Sequence, residues 1–437
     1  HDVARVMQRY LRPGNASGAA ILPASSRGKP RHVAWAKQAE RRVRKALAAT
    51  AAPVPPVEQR VVLASGMTLL VRRDPSVPIV AMRAVWRGGQ RIEDDDHAGA
   101  STLIARMLTR GCKGHDAQAT ADQIDRLGGS LAGVAGRNSF GVAAEWLARS
   151  WQPGFELLAD CVLEPALPNP ELVRERRLLL DDQLAQTGSP SQVVFQLFTE
   201  TLYGTHPYAR NVLGTADSVS GLSRAELAAF YRERYPVSAM TLAIAGDIEI
   251  DEVIAAVRRR FDGVPRGSPA STTSATSAGP AIAAVPKDGR SQSDREVYRY
   301  LDRAQAHLVI GFPGATVDAP DRFALEVLVA ILGGQSGRLF AELRDRQALV
   351  YRVSAHSIEG VDPGFVAIYL SCAPDKLAAA VAGVREQLAR LREDGVTAAE
   401  VERAQSYLAG SHQIAMQRRA AVANAMAYHE AYGLGWQ

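Results

Sequence analysis

Two stretches decide the fold. The first is 142-VAAEWLA-148, followed by a helical run and then 168-PNPELVRERRLLL-180. The second is 365-FVAIYLS-371, followed by another helical run and then 396-VTAAEVERAQSYL-408. Each reads as strand, helix, turn and capped helix, in the same order and at similar spacing. Glu175-Arg176 and Glu402-Arg403 fall at matching places in the two. This is an internal duplication of roughly 200 residues, much longer than the period of a solenoid repeat.

Working outward from the first copy, RVVLASGMTLLVRRD reads as a hairpin turning at Ser65-Gly66, and VPIVAMRAVWRGG as a further strand. SLAGVAGRNSFGVAAEWLA alternates as two strands, MTLAIAGD is a buried strand, and IDEVIAAVRRRF is a helix. Ser223 is an N-cap candidate for RAELAAFYRERY. Around the second copy, AQAHLVIGFP and YRVSAHSIEG are strands. FALEVLVAILGG, GRLFAELRDR and DKLAAAVAGVREQLARLRE are helical. Between the copies lies PRGSPASTTSATSAGP, rich in small and polar residues and without apolar period, the clearest boundary in the chain. The expected class is α+β: two homologous domains, each a largely antiparallel sheet with helices packed on it. The expected boundaries are a first domain over 57–264, a linker over 265–285 and a second domain over 286–437. A tether over 25–56 precedes them, reading as a basic, Ala-rich helix over 30–50 and a Pro-rich linker over 49–57.

Composition narrows the function classes. The chain has 437 residues, 47% of them hydrophobic and 22% charged, the balance of a globular protein. No apolar run reaches the ~18 residues of a membrane-spanning helix. The net charge of +5 is small for the length, and no Lys/Arg block interleaved with aromatics appears. A nucleic-acid partner is not expected. Cys112, Cys161 and Cys372 are too far apart in sequence for a metal knuckle and read as free thiols.

The stretch 98-AGASTLIARMLTRG-111 is a helix with Leu103, Ile104, Met107 and Leu108 toward a core. Its other face carries Thr102, Ala105 and Arg106. Histidines at the first and last of these places, with a glutamate at the middle one, would hold a zinc ion and its attacking water. A hydroxyl, a methyl and a guanidinium stand there instead.

Four further segments occur in order: 202-LYGTHPYARNVLGT-215, FYRERYPVSAMTLAIAGD ending at 247, 332-LGGQSGRLFAELRDRQALVYRVSA-355 and REDGVTAAEVERAQSYLAG ending at 410. With the duplicated scaffold, they make the chain resemble the pitrilysin/insulinase-type zinc metallopeptidases, which include the mitochondrial processing peptidase. The resemblance runs from about Val57 to the end. It implies a chamber built from two halves, only one of which carries zinc on a His-x-x-Glu-His helix. Here that motif aligns with Thr102–Arg106, and the third ligand position falls at Asp182. A fixed guanidinium charge where a dication should sit carries a penalty of several kcal/mol at an effective dielectric of ~20. By resemblance, then, this is the non-catalytic half. No cofactor is expected in this chain, and zinc only in a homologous partner half, in the same polypeptide or a separate subunit. The resemblance also implies substrate contacts from Arg344 and Tyr351 in LRDRQALVY, both able to donate hydrogen bonds to a peptide carbonyl or developing oxyanion. The expected function is enclosure and positioning of peptide for a metalloendopeptidase. The alternative is a non-enzymatic assembly subunit of the respiratory core-protein type. An independent hydrolase has no Gly-x-Ser-x-Gly elbow or Cys/His pairing behind it. Resemblance alone points to a bacterial setting, periplasm or cytoplasm.

Other motifs receive bland readings. His206 in THPYA is expected in a structural turn; His97, His115 and His356 are isolated. Asp94-Asp95-Asp96 is a solvated turn. Gly333–Gly337 lacks the Lys-Ser/Thr of a phosphate loop and matches the family's glycine-rich loop. Asp181-Asp182 is a helix surface. Residues 2–24 resemble the closing helix and strand of a preceding domain. The corresponding closing unit is expected to be missing from the second domain, leaving a sheet edge that residues 2–24 could fill.

Overall fold

The structure is a computed structural model that describes residues 57–265 and 295–436. The reading of residues 2–24, the 25–56 tether and most of the 265–285 linker lie outside the described residues. The first half contains β1 (Val57–Val62), β2 (Thr68–Arg73), β3 (Ile79–Arg87), β4 (Ser130–Ala135), β5 (Ser139–Leu147) and β6 (Thr241–Gly246). Its helices are α1 (Ala100–Met107), α2 (Ala117–Leu127), α3 (Trp151–Leu163), α4 (Asn169–Thr187), α5 (Pro190–Tyr203), α6 (Ala216–Gly221), α7 (Arg224–Arg234) and α8 (Ile250–Phe261). The second half contains β7 (Ala306–Pro313), α9 (Arg322–Gly333), a π-helix over Phe340–Arg346, β8 (Val350–Ile358), β9 (Phe365–Cys372), α10 (Leu377–Glu393), α11 (Ala398–Ala415) and α12 (Arg419–Tyr432).

The first sheet runs β1-β2-β6-β3-β5-β4, antiparallel except where β2 meets β6. Every residue of β6 is buried, because apolar layers cover both faces of the sheet there. The alternation of side chains separates two apolar layers. Leu69, Val71, Met82, Trp86 and Ile244 face the layer formed by α1, α3, α7 and α8. Leu70, Ala81, Val85, Ala243 and Ala245 face the other way. The second sheet is ordered β7-β9-β8, and its core joins Val353, Ile368 and Leu370 to Leu332, Leu343, Ala380 and Val384. Among the described residues β7 and β8 each have one strand neighbour.

Of the two copies, only the second begins its expected capped helix with a side-chain cap; α4 in the first starts after Pro168 without one. Ser223 pairs with Glu226 in a capping box at α7, and Thr397 with Glu400 at α11. The 340–346 segment differs from the expected ordinary helix. It is wound as a π-helix, followed by Ala348 at φ 49° and a register shift between Val350 and Arg352.

The duplication ends in an exchange of helices. By chain order α12 in the second half corresponds to α5 in the first. The apolar face of α12, Val422, Ala423, Met426 and Ala427, packs on the first sheet. In turn α5 sets Phe195, Phe198 and Tyr203 against Phe365 and Ala367 of the second sheet. A fully buried Val or Met side chain contributes about 1.5–3 kcal/mol, so the exchanged helices bind the two halves firmly. Among the described residues no helix is long and apolar enough to cross a membrane.

Candidate functional site

Helix α1 is held at both ends and along one face. The buried Glu93 carboxylate accepts from Gly99 N–H at 2.9 Å and Ser101 N–H at 2.8 Å, serving the orphan donors of the first turn. Burial pushes this carboxyl up, opposed by those hydrogen bonds. Ser101 Oγ meets Tyr235 OH at 2.7 Å. Leu103, Ile104 and Met107 are fully buried. The helix lies against β4 at Gly133, where a Cβ would come 2.0 Å from the Ala105 carbonyl. Only a glycine admits the backbone so close.

On the remaining face the aligned positions converge. Thr102 Oγ1 donates to the Val212 carbonyl at 2.8 Å. Ala105 is buried beneath β4. Arg106 Nη2 donates to Asp182 Oδ2 at 2.6 Å, reaching from α1 to α4. The helix-surface reading of Asp182 is therefore incomplete: its carboxylate is the partner of the guanidinium. The position of a second imidazole and that of a third ligand are brought into contact, as a metal site requires. The side chains there are already neutralised by each other. A hydroxyl committed to a backbone carbonyl, a methyl and a guanidinium offer no imidazole or sulfur donor to zinc. These residues do not fit the metal. No group of three or more His, Cys, Asp or Glu suited to a metal occurs among the described residues.

Arg344 and Tyr351 occupy a different setting. Arg344 is exposed on the π-helix, its guanidinium 4.6 Å from the Phe340 ring centroid. Tyr351 is 59% exposed at the start of β8, on the irregular register between Val350 and Arg352. Two departures from regular backbone thus bracket the pair. Such irregularities re-aim side chains and gather at functional positions. Lys376 Nζ donates to the Ala348 carbonyl at 2.8 Å and holds the connection between them.

The other sequence candidates resolve singly. His97 pairs with Asp94 at 2.6 Å and stacks on Phe230. His115 lies in an isolated bridge with Cys112. His356 meets Ser354 Oγ at 2.9 Å. Asp95 pairs with Arg210 at 2.7 Å. Gly333–Gly337 closes the turn after α9, where Gly337 N–H donates to the Gly334 carbonyl. Cys112, Cys161 and Cys372 are free and buried.

Sequence reasoning missed a cluster between the halves. Arg91 donates to both oxygens of Asp362, from Nε at 2.5 Å and Nη2 at 3.2 Å. His206 Nε2 lies 3.5 Å from Asp362 Oδ2. Burial raises the Asp362 carboxyl, but the nearby His206 ring, the two Arg91 hydrogen bonds and the Arg91 charge outweigh it and hold it at about 2. The only signal in the sequence was the THPYA motif, which places the histidine but not its acid.

The profile described as insulinase, peptidase family M16, matches residues 68–216. The profile described as the peptidase M16 inactive domain matches residues 221–408. A Mycobacterium leprae protein named an uncharacterized zinc protease is 29% identical over 360 residues, covering 80% of this chain and 77% of that one. The fold matches a crystal structure of a peptidase M16 inactive domain from Pseudomonas fluorescens with a TM-score of 0.75 and 22% identity, over 87% of this chain and 89% of that one. It also matches a chain of Complex III2 from Candida albicans, at 0.70 and 17%, over 87% of each. With these two profiles of one family matching in succession from residue 68 to 408, the chain belongs to the peptidase M16 (insulinase) family.

Proposed function

We propose that this chain is the non-catalytic half of a two-part zinc endopeptidase, enclosing and positioning peptide for a homologous half that carries the metal. The observation behind this reading is the 2.6 Å contact between Arg106 and Asp182, which fills with a closed ion pair the place where imidazole and carboxylate would meet a metal. On this reading the chain carries no zinc of its own. Its contribution comes from Arg344 and Tyr351, both exposed, with no ion pair to Arg344 among the described residues. The guanidinium and the phenol donate to a peptide carbonyl, or to the negative charge that grows on its oxygen when the carbon is attacked. β4 supports the same reading. Among the described residues it is an outer strand of the first sheet, beside α1, and that edge offers main-chain partners to an extended peptide.

The test is reconstitution. The chain alone should not cleave peptides, and mixing it with a zinc-bearing homologue should produce turnover that neither has alone. Absence of cleavage across matched homologues from one genome would count against the reading.

A second reading, an assembly subunit without proteolytic role, draws on the shared fold with a Complex III2 chain. It requires the Arg344–Tyr351 surface to be covered in the assembly. Protection of that surface in a stable complex without peptidase activity would favour it.

A further inference from the structure

The turn between β8 and β9 belongs to the second half, yet it is gripped by the first. Asp362 at its tip takes the two Arg91 bonds, and Asp362 N–H donates to Tyr208 OH at 3.3 Å. Tyr208 OH itself donates to Asn138 Oδ1. Val361 N–H reaches the same Asn138 oxygen at 3.5 Å. Tyr203 OH donates to the Pro363 carbonyl at 3.2 Å. Gly360 allows the approach, since a Cβ there would stand 2.8 Å from Tyr208 OH.

His206 completes the socket. Its Nδ1 accepts from Tyr208 N–H at 3.0 Å, which in the neutral ring leaves the proton on Nε2. That nitrogen is buried, has no hydrogen-bond partner of good geometry, and faces Asp362 Oδ2 at 3.5 Å. The ring is 1% exposed by side chain, and Pro207 fixes the backbone beside it. Acid, guanidinium and imidazole therefore come from three separate chain segments and meet only when the halves are correctly docked.

The same strand has Tyr351 at its other end. β8 runs from Val350 to Ile358, so Tyr351 stands roughly 23 Å along the strand from the end that enters the latched turn, at ~3.3 Å per residue. β8 is paired to β9 on both sides of Tyr351, at Val350 and from Arg352 to Ile358, so the position of the turn is carried to the residues that flank it. We propose that Arg91, His206 and Asp362 form a positioning latch: by pinning the β8–β9 turn into the first half, they set where Tyr351 stands relative to that half. The functional consequence rests on the substrate role given to Tyr351 above; the mechanical claim does not.

The test uses nitroxide labels on the full chain at Tyr351→Cys and Val173→Cys. The native thiols are buried and do not compete. Pulsed electron resonance should give one narrow distance distribution in the parent. Asp362→Asn should shift and broaden it. Amide exchange over 359–366 should quicken about tenfold, equivalent to about 1.4 kcal/mol of lost protection. The paired exchange Arg91→Asp with Asp362→Arg should restore the narrow peak, which a merely space-filling role would not predict. Tyr203→Phe removes only one hydroxyl, so it keeps the chain folded if Asp362→Asn does not, and should move both readouts in the same direction. Unchanged distances and exchange in the folded variants would overturn the latch. Neither readout involves substrate. The role of Tyr351 itself stands or falls separately, on the turnover of Tyr351→Phe.

Discussion

Two arginines divide the molecule. Arg106 in the first half is closed onto Asp182 at 2.6 Å. Arg344 in the second is exposed, with the Phe340 ring beneath it and no ion pair. The first lies on a regular helix wedged against β4, the second on a π-helix ahead of a strand irregularity. On the proposed reading, the difference separates a closed ion pair from a donor left open to peptide. A satisfied charge pair on regular backbone holds structure together. An unpaired donor on irregular backbone is available to something outside the chain.

The contrast can be broken in several ways. The largest effect is expected on the presented side. Arg344→Ala should lower kcat in a reconstituted enzyme by about 10²–10³, the usual loss of an oxyanion donor, while the urea midpoint of the chain stays put. Equal kinetics would remove the functional half of the comparison. On the closed side, Gly133→Ala should cost about 3 kcal/mol or more in unfolding free energy, because a Cβ would stand 2.0 Å from the Ala105 carbonyl. A stability within 1 kcal/mol of the parent, by ~urea titration, would show that α1 is not held as described.

Tyr351→Phe should reduce turnover by about tenfold, the value of one hydrogen bond to developing charge, without altering the circular dichroism. Acid titration tests the latch between the halves. Asp362 is held at about 2 when folded, against about 3.9 in an unfolded chain. A depressed carboxylate contributes stability above its unfolded value, and that contribution is lost as pH falls through the folded one. Stability should therefore decline from about pH 4 toward pH 2, and Asp362→Asn should flatten that slope. The smallest effect belongs to Arg106→Ala. Its partner Asp182 is half-exposed, so the loss should stay within about 1 kcal/mol, with turnover unchanged. A large loss of turnover would reverse the comparison.

The sequence carried the local structure well. Alternation placed the strands, and Ser223 with Glu226 and Thr397 with Glu400 marked two helix starts, because capping is decided within four residues. The aligned positions 106 and 182 also met in space. What stayed hidden depends on distant partners. Helices α5 and α12 were not read from the sequence, and an apolar stripe would not have named the sheet it covers: each crosses to the other half. Asp362 looked like one more turn residue, since its guanidinium stands 271 residues away. The π-helix at 340–346 has no local signature to separate it from an ordinary helix.

The central claim is that the face of α1 has lost its metal chemistry. Elemental analysis of the purified full chain, after dialysis against micromolar zinc, tests it directly. The account predicts zinc well below one ion per chain, unchanged by Asp182→Ala. Stoichiometric zinc that disappears on Asp182→Ala would contradict it.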